Sequence, residues 1–417
     1  MRCRRPGNWS GGIAYVLGEF PSVSETFILR EMVALREQGF DILPLATQRP
    51  EQAVVHSEAE PFVAAAEYRP SPLSPRSLLA QFAAAFCFPA GYLTALRFVL
   101  WQCLRHPLYV RELVSALFAA GYFASLPAGR RARHIHAHFG SYPATVGLLL
   151  AEITGRSFSL ACHARDVFTG ESILLGEKIR EAEFCVVCNA YAQERLLRQH
   201  RLVTTGRLHL VHHGVDLGVY RFRTEQPVKP PLILTVGRLI EKKGLPILLH
   251  AAAILHSRDA EFRLGIVGDG PERENLERLA AGLGLRDITR FYGQLSQEEL
   301  VPLYYEASVF VLPSVVAASG DRDGLPNVLI EALALGVPAV ASNFGAIPEL
   351  VIHEETGLLA QPGDAESFAE QIERAIYDEE LRSYVALNGR HKVDTEFNLQ
   401  RNTAAIARLL SQTMEEW

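Results

Sequence analysis

Strand-sized apolar runs at 232–236 and 262–267 alternate with helix-sized stretches at 244–257 and 272–284. Alternation of this kind belongs to a parallel sheet with helices on both faces, a doubly wound α/β layer. The N-terminal half reads the same way, with a short strand at Ile13–Leu17, a helix from Ser24 to Gly39 with Ser24 as its N-cap, and a second strand at Asp41–Ala46. Between the halves, R-F-R-T-E-Q-P-V-K-P-P at 221–231 carries three prolines and alternating charges that no core element accepts, so it is expected to be a linker. At 417 residues one hydrophobic core is too few, and two α/β domains are expected.

Composition narrows the class. A charged share of 21% and a hydrophobic share of 48% describe a globular chain, not a disordered one. The 6 cysteines are unevenly spaced and the basic start M-R-C-R-R-P lacks an apolar core, so reduced thiols, a cytoplasmic setting and no disulfides are expected. Cys185 and Cys188 fall in an apolar strand and read as packing. Residues 1–222 hold 23 Lys+Arg against 18 Asp+Glu, net +5, and the remainder 18 against 29, net −11. A positive half favours an anionic membrane surface or a lipid-phosphate acceptor, which would place the protein at the inner face of the cytoplasmic membrane; the alternative is uneven charge without a partner. The pI near 6.2 argues against general nucleic-acid binding.

Residues 77–125 bear on that point. From Arg76 to Arg97 the run is uncharged and mainly apolar, but Pro89 and Gly91 interrupt it near its middle. Three readings stay open, in falling order: helices buried against the N-terminal sheet, a monotopic membrane contact built on Arg97, Arg105 and Arg111 beside Trp101, Leu108 and Tyr109, and a true span.

The chemistry concentrates in D-R-D-G-L-P-N-V-L-I-E at 321–331. Asp323 and Glu331 stand eight residues apart around Gly324, Leu325 and Pro326, a loop turning into a helix that is expected to begin at Pro326. Free amides at such a helix start, with the dipole behind them, suit a diphosphate, and flanking carboxylates suit vicinal hydroxyls. The ligand implied is a nucleotide sugar; the plain alternative is a capped surface helix with solvated acids. Arg238 and Lys243, on the loop after the strand at 232–236, pair a guanidinium fork with a mobile ammonium and would hold a diphosphate. V-G-D-G-P-E-R at 267–273 places Arg273 where a dinucleotide fingerprint needs glycine, so a nicotinamide dehydrogenase is the poorer reading. His134, His136 and His138 share one face of a strand, but no carboxylate or Cys stands near them in sequence, and no metal is expected. His163 and Asp166 follow the strand at 158–162, at the edge where ligands of open parallel sheets sit; the alternative is a capped helix start.

The acid pair with G-L-P between, T-V-G-R-L-I-E-K-K-G-L at 235–245, V-G-D-G-P-E at 267–272 and V-F-V-L-P-S at 309–314 resemble glycosyltransferase family 4. F-P-S-V-S-E-T-F-I-L-R-E at 20–31 and H-A-R-D at 163–166 resemble its branch that builds bacterial exopolysaccharides of the colanic acid and amylovoran type. The resemblance implies a GT-B fold: two Rossmann-like domains, 12–222 and 228–392, facing a deep cleft, with a C-terminal helix at 393–417 crossing back. It implies a retaining enzyme needing neither metal nor cofactor, which moves a sugar from a nucleotide-diphosphate donor to a glycan hydroxyl, on a lipid-linked intermediate. On that likeness Arg238 and Lys243 bind the diphosphate and assist its departure, the backbone of Gly324, Leu325, Pro326 and Asn327 caps it, and Glu331 takes the ribose. Asp323 takes sugar hydroxyls, Gln294 and Leu295 lie where backbone reads the base, and His163 touches the sugar or aids the acceptor. Ser24, Glu25 and Thr26 replace the family's usual Gly-rich loop and would face the cleft. The family's usual first acid is Glu, so Asp323, a methylene shorter, would shift the sugar, select another, or cede its role to Asp321. Alternatives are a GT-B epimerase or phosphorylase, a non-catalytic nucleotide-sugar-binding subunit, and a membrane-attached scaffold resting on 77–125.

Overall fold

The structure is a computed structural model and describes residues 12–22, 25–50, 57–170, 172–200, 204–223 and 228–416. The chain divides into two compact units, one of Met1–Cys188, Ala192–Val211 and Thr403–Trp417, the other of Asn189–Tyr191 and His212–Asn402.

In the first unit seven parallel strands, β1 (Ile13–Glu19), β2 (Ile42–Gln48), β3 (Glu67–Tyr68), β4 (His134–His138), β5 (Ser157–Cys162), β6 (Phe184–Val187) and β7 (Leu208–Leu210), lie in the order β3-β2-β1-β4-β5-β6-β7. β4 and β5 are buried along their length and β1 over Ile13–Leu17, as expected when helices cover both faces of a parallel sheet. The order reverses between β1 and β4, the kind of switch point beyond whose strand ends ligands bind in open α/β sheets. The first helix runs Thr26–Glu37; the expected cap, Ser24, lies outside the described residues.

Residues 75–125 form three helices, Pro75–Cys87, Pro89–Arg105 and Val110–Ser125. The first two break at Phe88, which precedes a proline and leaves helical geometry at φ −133, ψ 58. Burial of these helices against the unit, expected from their apolar content, holds for one face only. Ala80, Gln81, Ala84, Ala95, Val99 and Gln102 point inward, while Phe82, Phe86, Trp101 and Leu104 are 75%, 88%, 57% and 81% exposed. Among the described residues no helix is long and apolar enough to cross a membrane.

The second unit holds six parallel strands, β8 (Leu232–Val236), β9 (Arg263–Val267), β10 (Thr289–Gly293), β11 (Ala307–Leu312), β12 (Ala339–Ser342) and β13 (Leu358–Ala360), ordered β10-β9-β8-β11-β12-β13. Its switch point lies between β8 and β11. Strand and helix bounds here fall within two residues of those expected from periodicity, with Gly237, Gly268 and Gly284 closing three of the four runs. The helix after β11 runs Asn327–Ala334, one residue later than expected: Pro326 keeps an extended ψ of 123 and serves as N-cap. The unit borders also differ from the expected 222 and 393. Residues 212–222 and 393–402 stay with the second unit because Val215 N donates to Phe397 O at 2.9 Å and Val215, Val393 and Phe397 share its core.

Gly244 ties the two switch-point loops together. Its φ of +61 is left-handed, and an added Cβ would fall 1.9 Å from the carbonyl oxygen of Pro313. Only glycine lets the loop after β8 lie directly on the loop after β11.

Candidate functional site

That contact sets Lys243 against Asp323, eighty positions along the chain. Lys243 Nζ donates to Asp323 Oδ2 at 2.8 Å, and Ser314 Oγ donates to the same oxygen at 2.6 Å. Beside them Lys242 Nζ lies 3.1 Å from Asp321 and 3.9 Å from Asp323. Asp323 is buried, which alone would raise its pKa; the ammoniums of Lys243 and Lys242 and the hydrogen bonds from Lys243 and Ser314 outweigh burial and hold it below the usual 3.8. Asp321 is the more exposed of the two acids and pairs with Lys242, whereas Asp323 is buried between Lys243 and Ser314.

A carboxylate held below its ordinary pKa stabilises the fold above the unfolded-state value, and that contribution fades as pH falls through the folded one. The stability gap between wild type and Asp323→Asn should therefore be widest near neutrality and shrink below pH 3.8. Urea unfolding at pH 7 and pH 3 measures it; a gap independent of pH would contradict the ion pairing.

The remaining candidates line the same edge of the sheet. Lys243 passes over Gly237, where a Cβ would meet its Cε at 3.3 Å. Among the described residues the amides of Gly324, Leu325 and Asn327 have no acceptor, and Asn327 Oδ1 lies 3.2 Å from His213 Nδ1. Glu331 is buried about one turn into this helix and accepts from Tyr304 OH at 3.3 Å. Arg238 is exposed, with no ion pair from its guanidinium among the described residues. Gln294 and Leu295 follow β10, two strands from β8, or about 10 Å at the usual strand spacing. The loops between are stitched together by Leu239 N to Asp269 O at 2.9 Å and Gly268 N to Gly293 O at 2.7 Å. The edge from β11 to β10 thus offers amides and an ammonium at one end and the exposed Gln294 at the other. Ser314, Tyr304 and His213 were not singled out from sequence; Ser314 closes the V-F-V-L-P-S run, and only its depth beside Asp323 identifies it.

In the first unit His163 is buried directly after β5. Asp166 proves structural: its Oδ2 accepts from His163 N at 2.9 Å and its Oδ1 from Ser141 N and Ser172 Oγ at 3.1 and 2.8 Å. His134 bonds Ser157 and Ser159 through its two ring nitrogens at 2.7 and 2.6 Å, and His136 Nδ1 bonds Ser159 at 2.7 Å. Burial pushes His134 down to about 3 and His136 well below its ordinary value, so both are neutral. The carboxylate not found near these histidines in sequence comes from Glu31, whose Oε1 lies 3.2 Å from His138 Nε2. Glu25 is the N-cap position of the helix after β1 and lines a small pocket with Leu17, Glu19 and Phe20; burial, Glu19 and Asp166 push its pKa up to about 7. Thr26 is the first residue of that helix.

Residues 219–392 match the family Glycosyl transferases group 1. The chain is similar to the amylovoran biosynthesis glycosyltransferase AmsK of Erwinia amylovora, at 35% identity over 53% of this chain and 57% of that relative's length. It is also similar to the putative colanic acid biosynthesis glycosyltransferase WcaL of Escherichia coli, at 28% identity over 95% of this chain and 99% of that one. Among solved structures, Anabaena HepE in complex with UDP aligns with a TM-score of 0.68 at 18% identity, covering 96% of this chain and 100% of that one. Sucrose-phosphate synthase from Thermosynechococcus elongatus aligns at 0.69 and 21% identity, covering 97% and 100%. The fold, two Rossmann-like parallel sheets with flanking helices, is that of GT-B proteins.

Proposed function

We propose that this chain, which carries a glycosyl transferases group 1 domain on a GT-B fold, is a retaining glycosyltransferase of family 4. It moves a sugar from a nucleoside-diphosphate donor to a hydroxyl of a lipid-linked exopolysaccharide intermediate. The observation that carries the reading is the pair of Lys243 with the buried Asp323 at 2.8 Å, next to open amides at the switch point of the second sheet. The ammonium of Lys243 has three donors; Asp323 uses one, and a diphosphate takes another. Arg238, exposed on the same loop, adds a bidentate clamp. As the sugar–phosphate bond breaks, negative charge grows on the departing diphosphate, and these two cations with the amides at 324–327 stabilise it without a metal. Asp323 then faces the sugar hydroxyls and Glu331 the ribose hydroxyls, while the backbone at Gln294 and Leu295 meets the base. The incoming hydroxyl reacts on the face the leaving phosphate vacates and gives its proton to that phosphate, which keeps the anomeric configuration.

The relatives' roles in amylovoran and colanic acid synthesis support a glycan acceptor. The exposed apolar face of residues 75–105 supports attachment of the first unit to an anionic bilayer. Between Glu67 and Glu112 there is no acidic residue and there are five arginines, so this face meets lipid phosphates without repulsion.

A thermal-shift panel of UDP, GDP and ADP and their sugars in EDTA tests the donor reading. One base should raise Tm selectively, by mass action, and Lys243→Ala should abolish the shift. A panel with no shift at millimolar ligand would overturn it.

A further inference from the structure

Behind His163 the first unit sets a line of hydrogen bonds. His163 Nε2 lies 3.4 Å from His138 Nδ1, and His138 Nε2 lies 3.2 Å from Glu31 Oε1. Tyr15 OH donates to that same oxygen at 2.8 Å. The members come from β1, from the last residue of β4, from the position after β5 and from the helix after β1. They therefore gather at the β1/β4 switch point of this sheet.

We propose that Glu31 and His138 are positioning residues that set the tautomer of His163; the inference rests on the reading of His163 as a group that meets the sugar or acceptor. An ionised carboxylate only accepts, so His138 must carry its proton on Nε2. A neutral His138 then presents a lone pair at Nδ1, and His163 must donate from Nε2. One charge thus fixes two rings. Burial and the neighbouring Glu31 raise the pKa of Tyr15, which keeps its hydroxyl a donor to the shared oxygen. The rings of Phe27 and Phe139 stand 4.9 and 4.6 Å from His163 and block its rotation. His163 thus turns its Nε2–H inward, and in its neutral form Nδ1 is the nitrogen left as an acceptor.

Long-range 15N–1H spectra of the imidazoles in the full chain, assigned with His138→Asn and His163→Asn, test this directly. The wild type should show both rings as Nε2–H tautomers. Glu31→Gln, whose amide oxygen can still accept, should preserve them, and Glu31→Leu should bring in the Nδ1–H form of His138. Transfer by Glu31→Leu should lose kcat by at least about tenfold with the donor KM little changed, and Glu31→Gln should recover most of it. A cationic or Nδ1–H His138 in the wild type, tautomers indifferent to Glu31→Leu, or a metal ion bound to His138 would each overturn the proposal. Where Glu31→Leu does not fold, the wild-type spectrum decides. The spectra need no turnover: the expected tautomers in a chain that transfers nothing would sink the role of His163 and leave the relay standing.

Discussion

Lys243→Ala should reduce transfer by two orders of magnitude or more and also unfold at lower denaturant than wild type. The activity loss follows from removing a donor that faces growing negative charge, typically a factor of about 10²–10³. The stability loss has a separate origin. Asp323 is 8% exposed on its side chain, and without Lys243 it keeps Ser314 and a more distant Lys242 at 3.9 Å. Stranding one member of a buried pair costs about 3–5 kcal/mol when nothing replaces it, and the remaining partners should hold the cost near the lower end. The double variant Lys243→Ala/Asp323→Ala removes both charges. It should regain part of the stability and none of the activity. Urea unfolding and a donor-consumption assay separate the two effects, and a double variant with restored transfer would show that the pair is scaffolding alone.

The second large effect is expected on the exposed face of residues 75–105. Substituting Phe82, Phe86, Trp101 and Leu104 by Ser should leave thermal unfolding nearly unchanged, because these side chains already lie in solvent. Binding to liposomes with anionic lipid should fall by about a thousandfold, since even about 1 kcal/mol per inserted side chain sums to three powers of ten. Flotation at low and high salt measures it. Unaltered flotation would remove the membrane contact from the account, and a large loss of stability would mean the face is covered by protein.

Strand-scale features were plain in the sequence because they are local: β8 occupies the expected 232–236, and the loop carrying Arg238 and Lys243 follows it. The chemistry was legible as candidate residues but not as contacts. Lys243 and Asp323 meet across β8 and β11, and Glu31 and His138 meet across 107 positions; such pairings depend on strand order, which composition and period do not encode. The absence of a nearby carboxylate around the three histidines was true of the chain and untrue in space. Helices 75–87 and 89–105 differ again: the sequence left burial, a monotopic membrane contact and a span open, because an apolar run does not say which of its faces packing covers, and here it covers one side only. Ser314 and Tyr304 carry no signal of their own, since a serine after a strand and a core tyrosine are ordinary.

The most direct measurement is a structure of the full chain with a non-transferable donor analogue bound in EDTA. Diphosphate oxygens should lie within hydrogen-bond distance of Lys243 Nζ and of the amides following Asp323, with the sugar against Asp323 and the ribose against Glu331. A nucleotide seated elsewhere, with Lys243 still turned to Asp323 and the 324–327 amides uncontacted, would contradict the account at its centre.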